Sequence, residues 1–221
     1  MIKAVLFDLD NTLIDFMTMK RKSCEAAINA MIDSGLKLKK EKAIEILFDL
    51  FKSHGIEDQT IFQKFLKKTV GGIDYKILAK GIAAYRRKQV GYLMPYPDVE
   101  STLKELRKKG LKLGIVSDAP KLKAWLRLAE MDLTDYFDLV IALDDTGKRK
   151  PHLLPFDTAI KRLGLKAEEI MFVGDNPKRD IFGAKKAGMK TCLAKYGQLY
   201  PSKGIKADFE AKGVKELLKI L

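Results

Sequence analysis

Asp8 and Asp10 stand two residues apart directly after the apolar run Ala4-Val5-Leu6-Phe7, in the segment Asp8-Leu9-Asp10-Asn11-Thr12. An apolar run followed at once by acids reads as a buried strand with polar groups at its carboxyl end, where open α/β sheets keep their chemistry. Residues i and i+2 of an extended chain point the same way, so the pattern places both carboxylates on one face, with Leu9 turned into the core. Two carboxylates so close repel each other. A bound cation or a shared proton relieves that repulsion, so the pair points to a metal site or to an acid/base pair. The competing reading is a strand ending in a polar turn, with Asn11 and Thr12 as turn formers.

Three further polar groups end or follow strands of their own. Lys112-Leu113-Gly114-Ile115-Val116 runs into Ser117 and Asp118, and Ile170-Met171-Phe172-Val173 runs into Gly174-Asp175-Asn176-Pro177, with Asp180 where a helix should begin. Leu139-Val140-Ile141-Ala142 leads through an acidic, turn-rich stretch to Lys148-Arg149-Lys150-Pro151. A parallel sheet gathers the carboxyl ends of its strands at one edge, so these groups are expected to converge on one crevice. Asp175 carries the sharpest signal, because an ionised carboxylate after Ile, Met, Phe and Val is costly unless paired or metal-bound. Ser117-Asp118 also fits an ordinary helix cap, the reading preferred for Asp118. Asn176 fits a turn residue as well as a site contact, and Trp125, on an amphipathic helix, is expected in the core.

The elements that must position these groups divide the chain unevenly. From Phe16 to Met94 the periodicity is helical, with helices expected near 18–33, 40–53, 59–69 and 75–89, and Gly35, Gly55 and Gly71-Gly72 at their C-termini. Pro95-Tyr96-Pro97 breaks this pattern. Strands and helices then alternate: helices near 98–109, 121–131 and 155–163, another to Ala187, a strand at Thr191–Ala194, a short one at Ala207–Glu210, and a helix at Val214–Leu221. The expected fold is α/β: a Rossmann-like, doubly wound parallel sheet core from 1–15 and 95–221, interrupted by an all-helical domain at 16–94.

Taken together, Asp8-Leu9-Asp10-Asn11-Thr12, Ser117 after Gly114-Ile115-Val116, Lys150-Pro151, and Gly174-Asp175 with Asp180 resemble the four ordered motifs of the haloacid dehalogenase-like hydrolase superfamily, most of whose members are phosphatases. The resemblance spans nearly the whole chain and implies that the helical insertion is a cap closing over the active site. It departs from the pattern after Lys150-Pro151, where many relatives have an acid and a second proline and this chain has His152-Leu153-Leu154-Pro155. His152 is read as a loop residue, with a substrate contact as the alternative. The implied reaction is hydrolysis of a phosphate monoester through an aspartyl-phosphate. Asp8 is the nucleophile, and Asp10 the acid that protonates the leaving group and then the base that deprotonates water. Ser117 and Lys150 hold phosphoryl oxygens, and Asn176 contacts substrate. Mg²⁺ is bound by Asp8, Asp175 and the backbone carbonyl of Asp10, oxygen ligands that suit it better than zinc. Asp180 fixes Lys150 or a metal-bound water.

At 221 residues with 47% hydrophobic content, the chain can build a substantial core. Two distant cysteines, Cys24 and Cys192, lack metal-ligand spacing and are expected to be buried thiols. The first strand begins by residue 4, and no apolar run approaches the length of a membrane span, so a cytoplasmic enzyme without membrane contact is expected. Of the net charge of +13, an excess of eight lies between Phe16 and Pro95, where sixteen Lys/Arg face eight Asp/Glu. A solvated lysine-rich surface ranks first as its explanation, attraction of a small anionic phosphorylated metabolite second, and nucleic-acid binding last, since the basic residues are dispersed around helices. Two alternatives to a phosphatase carry the same residues in part: a phosphosugar mutase, which returns the phosphoryl group to another hydroxyl, and a non-enzymatic phospho-acceptor. Substrate identity, the specificity residues of the insertion and oligomeric state are not encoded in any motif.

Overall fold

Short apolar segments make the sheet. They are β1 (Ala4–Phe7), β2 (Lys112–Val116), β3 (Leu139–Ile141), β4 (Ile170–Gly174), β5 (Lys190–Ala194) and β6 (Phe209–Ala211). Their residues are exposed only at the first positions of β2 and β5 and at Phe209 and Glu210 of the edge strand β6. They pair in the order β3-β2-β1-β4-β5-β6, all parallel. Continuous rather than alternating hydrophobicity is what a parallel sheet covered on both faces requires. The last strand begins two residues later than its sequence pattern suggests.

The computed structural model describes residues 1–221. It falls into two compact units, Met1–Phe16 with Leu93–Leu221, and Met17–Tyr92. In the first, the sheet is joined by α5 (Val99–Lys108), α6 (Lys121–Glu130), α7 (Leu143–Thr146), α8 (Leu153–Leu163), α9 (Phe182–Lys186) and α10 (Leu217–Ile220). Ala4, Leu6, Ile170 and Phe172 turn to one sheet face and pack with Phe156, Ala159 and Leu163 of α8 and Ala184 of α9, all buried. Their neighbours Val5, Phe7, Leu113, Ile115 and Val173 are equally buried and, by the two-residue period of a strand, face the other way. Trp125 is a correction to the expected core: on α6 it is 38% exposed, beside the exposed Leu122 and Leu126.

The second unit is helical: α2 (Lys40–His54), α3 (Ile61–Val70), α4 (Tyr75–Val90) and nearly all of α1 (Phe16–Asp33). It has its own core, in which Ile28 and Met31 of α1, Leu47 and Phe51 of α2, Phe65 and Leu66 of α3 and Leu78 of α4 are buried together. Gly71 closes α3 in a left-handed conformation, φ 76°, that a β-carbon would strain. Both cysteines are buried free thiols. No helix is long and apolar enough to cross a membrane.

Strand order places the chemistry. The chain leaves β1 toward β2 and β3 on one side, then returns to pair β4 on the other, so β1 and β4 flank the point where the winding reverses. At such a point the loops after neighbouring strands part and leave a crevice. Asp8, Ser117 and Asp175 are the first residues beyond the carboxyl ends of β1, β2 and β4.

Candidate active site

Asp8 is held by the sheet itself. Its N–H donates to Val173 O at 2.9 Å, continuing the β1–β4 ladder by one residue, and its side chain is buried. Its Oδ1 accepts from Leu9 N at 2.8 Å and lies 2.8 Å from Lys150 Nζ. Its Oδ2 faces Arg179 Nη2 at 3.9 Å, too far for a hydrogen bond. Oδ1 of Asp8 therefore already meets two donors, while Oδ2 has none within hydrogen-bond length.

Lys150 is buried with no side-chain exposure and is fixed on three sides. Its Nζ is 2.8 Å from Asp8 Oδ1, 2.8 Å from Asp180 Oδ1 and 2.9 Å from Val116 O. Burial by itself would pull the ammonium down, but the carboxylates of Asp180 and Asp8 more than reverse this and hold it above its ordinary value. Lys150 is thus a permanent cation. The following Lys150–Pro151 peptide is cis.

Carboxylate oxygens of Asp8, Asp175 and Asp180 lie within 4.8 Å of one another, all three residues buried. Burial pushes the Asp175 carboxyl up to about 8, and the neighbouring Asp8 and Asp180 add to the rise. Burial likewise raises Asp180, against the pull of Lys150. Asp175 Oδ1 is buried without a hydrogen-bond partner. With Asp118 beside them, four carboxylates face only two cations, Lys150 and Arg179, so Asp175 must either keep a proton or meet a cation. An all-oxygen donor set with an orphaned carboxylate oxygen fits a hard divalent ion such as Mg²⁺.

Asp180 reaches this cluster because Gly174 lets it. A β-carbon on Gly174 would lie 2.5 Å from Asp180 Cβ and 2.6 Å from its Cγ. Asp180 belongs to a single π-helical turn, Pro177–Ile181, and its Oδ2 accepts from Asn176 N at 3.0 Å. Asn176 spends its own Oδ1 on the N–H groups of Lys178 and Arg179, the turn-forming half of its two readings. Ser117 Oγ accepts from Ala119 N at 3.2 Å, which leaves its O–H free to donate.

Asp10 is not among the three carboxylates that lie within 4.8 Å of one another. Strand geometry ends at Phe7, and from Asp10 the chain curls: Asn11 adopts φ 59°, and Asn11 N donates to Ile14 O at 2.6 Å. Asp10 Oδ2 meets Arg127 Nη1 at 2.8 Å, and Arg127 is itself buried with its guanidinium carbon 4.4 Å from the Phe16 ring centre. Tyr196 OH donates to Thr12 O at 2.8 Å, and Gly197 packs so closely that a β-carbon there would strike Asn11 O at 1.6 Å.

Two residues of the site, Arg127 and Arg179, carried no recognised signal in sequence, and a third, Asp118, corrects its reading as a helix cap. Asp118 does not cap α6, whose N-cap is Pro120; its Oδ1 accepts from Lys150 N at 2.9 Å, and its Oδ2 from Arg179 Nη1 at 3.4 Å. Arg127 had a readable clue, since it lies three residues from Ala124 and one from Leu128 on the buried face of α6. Arg179, one basic residue among 42, had only its place next to Asp180. His152 caps α8, accepting from Leu154 N through Nδ1 at 3.1 Å.

The model of the haloacid dehalogenase-like hydrolase family matches residues 5–194. A glyceraldehyde 3-phosphate phosphatase from Methanocaldococcus jannaschii is 37% identical over 222 residues, covering 100% of this chain and 97% of that protein. A phosphoglycolate phosphatase from Aquifex aeolicus is 31% identical, covering 100% of this chain and 97% of its own length. Among solved structures, a HAD phosphatase from Thermococcus onnurineus superposes with a TM-score of 0.71 at 31% identity, covering 99% of this chain and 97% of that one.

Proposed function

Because the chain belongs to the haloacid dehalogenase-like hydrolases, and its relatives are phosphatases, we propose that it hydrolyses a small phosphate monoester through a phosphorylated Asp8. The observation that carries this reading is the placement of Asp8, with Oδ1 held by Leu9 N and Lys150 and Oδ2 free of hydrogen bonds and facing Arg179. Oδ2 attacks phosphorus as the bond to the leaving alkoxide breaks. The charge on the phosphoryl oxygens is met by the Lys150 ammonium and by the Ser117 hydroxyl. Asp10 gives its proton to the alkoxide. In the second half, water attacks the acyl phosphate, Asp10 takes the proton from that water, and inorganic phosphate leaves Asp8 free again. Arg127 Nη1, 2.8 Å from Asp10 Oδ2, holds this carboxyl in position for both steps.

Mg²⁺, held by the carboxylates of Asp8 and Asp175 and the main-chain carbonyl of Asp10, would supply further countercharge and keep Asp8 ionised. Asp180 keeps Lys150 in place from the far side. By its place in the sequence, inserted between the Asp8 and Ser117 motifs, the helical unit Met17–Tyr92 corresponds to the family's cap. The relatives direct attention to three-carbon and two-carbon phosphoesters, with glyceraldehyde 3-phosphate as the first candidate substrate.

The test is a phosphate-release screen over glyceraldehyde 3-phosphate, phosphoglycolate, hexose phosphates and nucleotides, with and without Mg²⁺, on wild type and Asp8→Asn. Mg²⁺-dependent release strongest on the small esters is expected, with none from Asp8→Asn although it folds normally. Release by the variant above a few per cent of wild type, on protein free of wild-type enzyme, would exclude Asp8 as the nucleophile.

A further inference from the structure

We infer that Arg179 is a substrate-binding residue, a third donor group that grips an oxygen of the phosphoryl group attacked by Asp8 and of the orthophosphate left behind; this rests on the phosphatase reading above. Its guanidinium stands at the mouth of the carboxylate cluster, with Nη2 3.9 Å from Asp8 Oδ2 and 4.0 Å from Asp175 Oδ1. A guanidinium that serves only to neutralise buried acids closes short, often paired hydrogen bonds to them. Arg179 makes no short contact of this kind: its one hydrogen bond, Nη1 to Asp118 Oδ2, is long at 3.4 Å, and its other two approaches are beyond hydrogen-bond length. Its Nε is buried without a partner. Arg179 is therefore an oriented donor fork, steadied at one end by Asp118, with most of its hydrogen-bonding capacity unspent.

What it faces decides the ligand. Lys150 closes on Oδ1 of Asp8, and Arg179 stands opposite Oδ2, the oxygen left for attack. A tetrahedral dianion brought to Oδ2 comes within reach of the fork, and phosphate is the anion whose geometry suits it. Arg179 also borders a cavity of about 460 Å³ shared with Lys178, Asn176 and Tyr200, where two cations line the wall. Arg179 is 38% exposed at its side chain, which leaves it accessible to solvent and to ligand.

The experiment compares wild type, Arg179→Gln and Arg179→Lys by calorimetric titration with orthophosphate at saturating Mg²⁺, beside thermal shift with Mg²⁺ alone and steady-state kinetics on one phosphate monoester. Losing a charge-assisted hydrogen bond is expected to weaken orthophosphate binding about 10- to 100-fold in Arg179→Gln, with only partial recovery in Arg179→Lys, whose point charge lacks the fork. KM rises accordingly. Mg²⁺ binding, by contrast, is unchanged or tighter in Arg179→Gln, because a cation beside Asp8 and Asp175 has been removed; a merely structural arginine would weaken both ligands together. Orthophosphate binding within twofold of wild type in Arg179→Gln overturns the inference, as does a parallel loss of Mg²⁺ binding. If Arg179→Gln does not fold, Arg179→Lys alone decides, with wild-type orthophosphate affinity counting against. Wild type that binds orthophosphate but releases none from any ester refutes the phosphatase reading instead.

Discussion

Asp175 is the residue whose environment makes the most quantitative demand. Its carboxyl is pushed up to about 8 by burial and by Asp8 and Asp180, whereas in an unfolded chain it titrates near ~3.9. A raised folded-state pKa means that the native protein holds the proton more tightly than the unfolded chain does. The associated stability is complete below about pH 4 and drains away as pH rises to about 8. In chelator, Asp175→Asn should therefore gain thermal stability relative to wild type between pH 5 and pH 8.5. Added Mg²⁺ should reverse that order at pH 8.5, since a ligand at 100 times its dissociation constant stabilises the folded state by about 2.7 kcal/mol. A difference between the two proteins that stays flat with pH in chelator would count against the assignment. Asp10 offers a second test at this scale. Its leaving-group role predicts that Asp10→Asn slows single-turnover attack on an alkyl phosphate about 100-fold or more, and attack on an activated aryl phosphate far less. Equal losses on both would remove the acid role.

At the scale of elements, the site depends on close approach between the end of β4 and the π-helical turn that follows it. Gly174 is required there because a β-carbon would enter the Asp180 side chain, and Asp180 in turn holds Lys150. Gly174→Ala should cost about 1–3 kcal/mol by overpacking. In a chain of this size that lowers the melting temperature by roughly 2–12 °C. Activity should fall more steeply than stability, because the displaced side chain is the one that orients Lys150. Gly213→Ala, where an added β-carbon meets nothing within 4 Å, is the control. Differential scanning calorimetry and phosphate release on both variants check this; a Gly174→Ala protein that melts and turns over like the control would show that the approach is not a constraint.

For the molecule as a whole, the two units carry separate hydrophobic cores, and that of Met17–Tyr92 is assembled from its own four helices and the loop residues between them, such as Leu36. A segment of this size buries only about 60% of the surface of its unfolded chain, so its margin of stability is small. The excised segment 17–92 should nonetheless be helical by circular dichroism and unfold cooperatively in urea. A flat, non-cooperative transition would mean that this core is not self-sufficient. The excess of eight positive charges it carries should make it more stable in moderate salt than at low ionic strength, as like charges are screened.

The sequence by itself determined the order of the strands and of every helix but the short α7, read as part of a turn-rich stretch, along with the parallel sheet and the identity of Asp8, Ser117, Lys150, Asp175 and Asp180 as groups at the sheet's edge. Each follows a short apolar run or its loop, and continuous hydrophobicity ended by a polar residue is a local signal that survives without neighbours. Tertiary structure alone decided the partnerships. That Lys150 is shared between Asp8, Asp180 and Val116 O depends on three strands brought together by pairing across more than a hundred residues. That Asp118 serves Lys150 and Arg179 rather than α6 is equally non-local, as is the pairing of Asp10 with an arginine 117 positions away. Trp125 failed for the same reason, since amphipathic periodicity marks an apolar face but not whether another element arrives to cover it. Periodicity records how a chain folds upon itself over a few residues; charge pairing and burial are settled by whichever distant groups the sheet sets beside them.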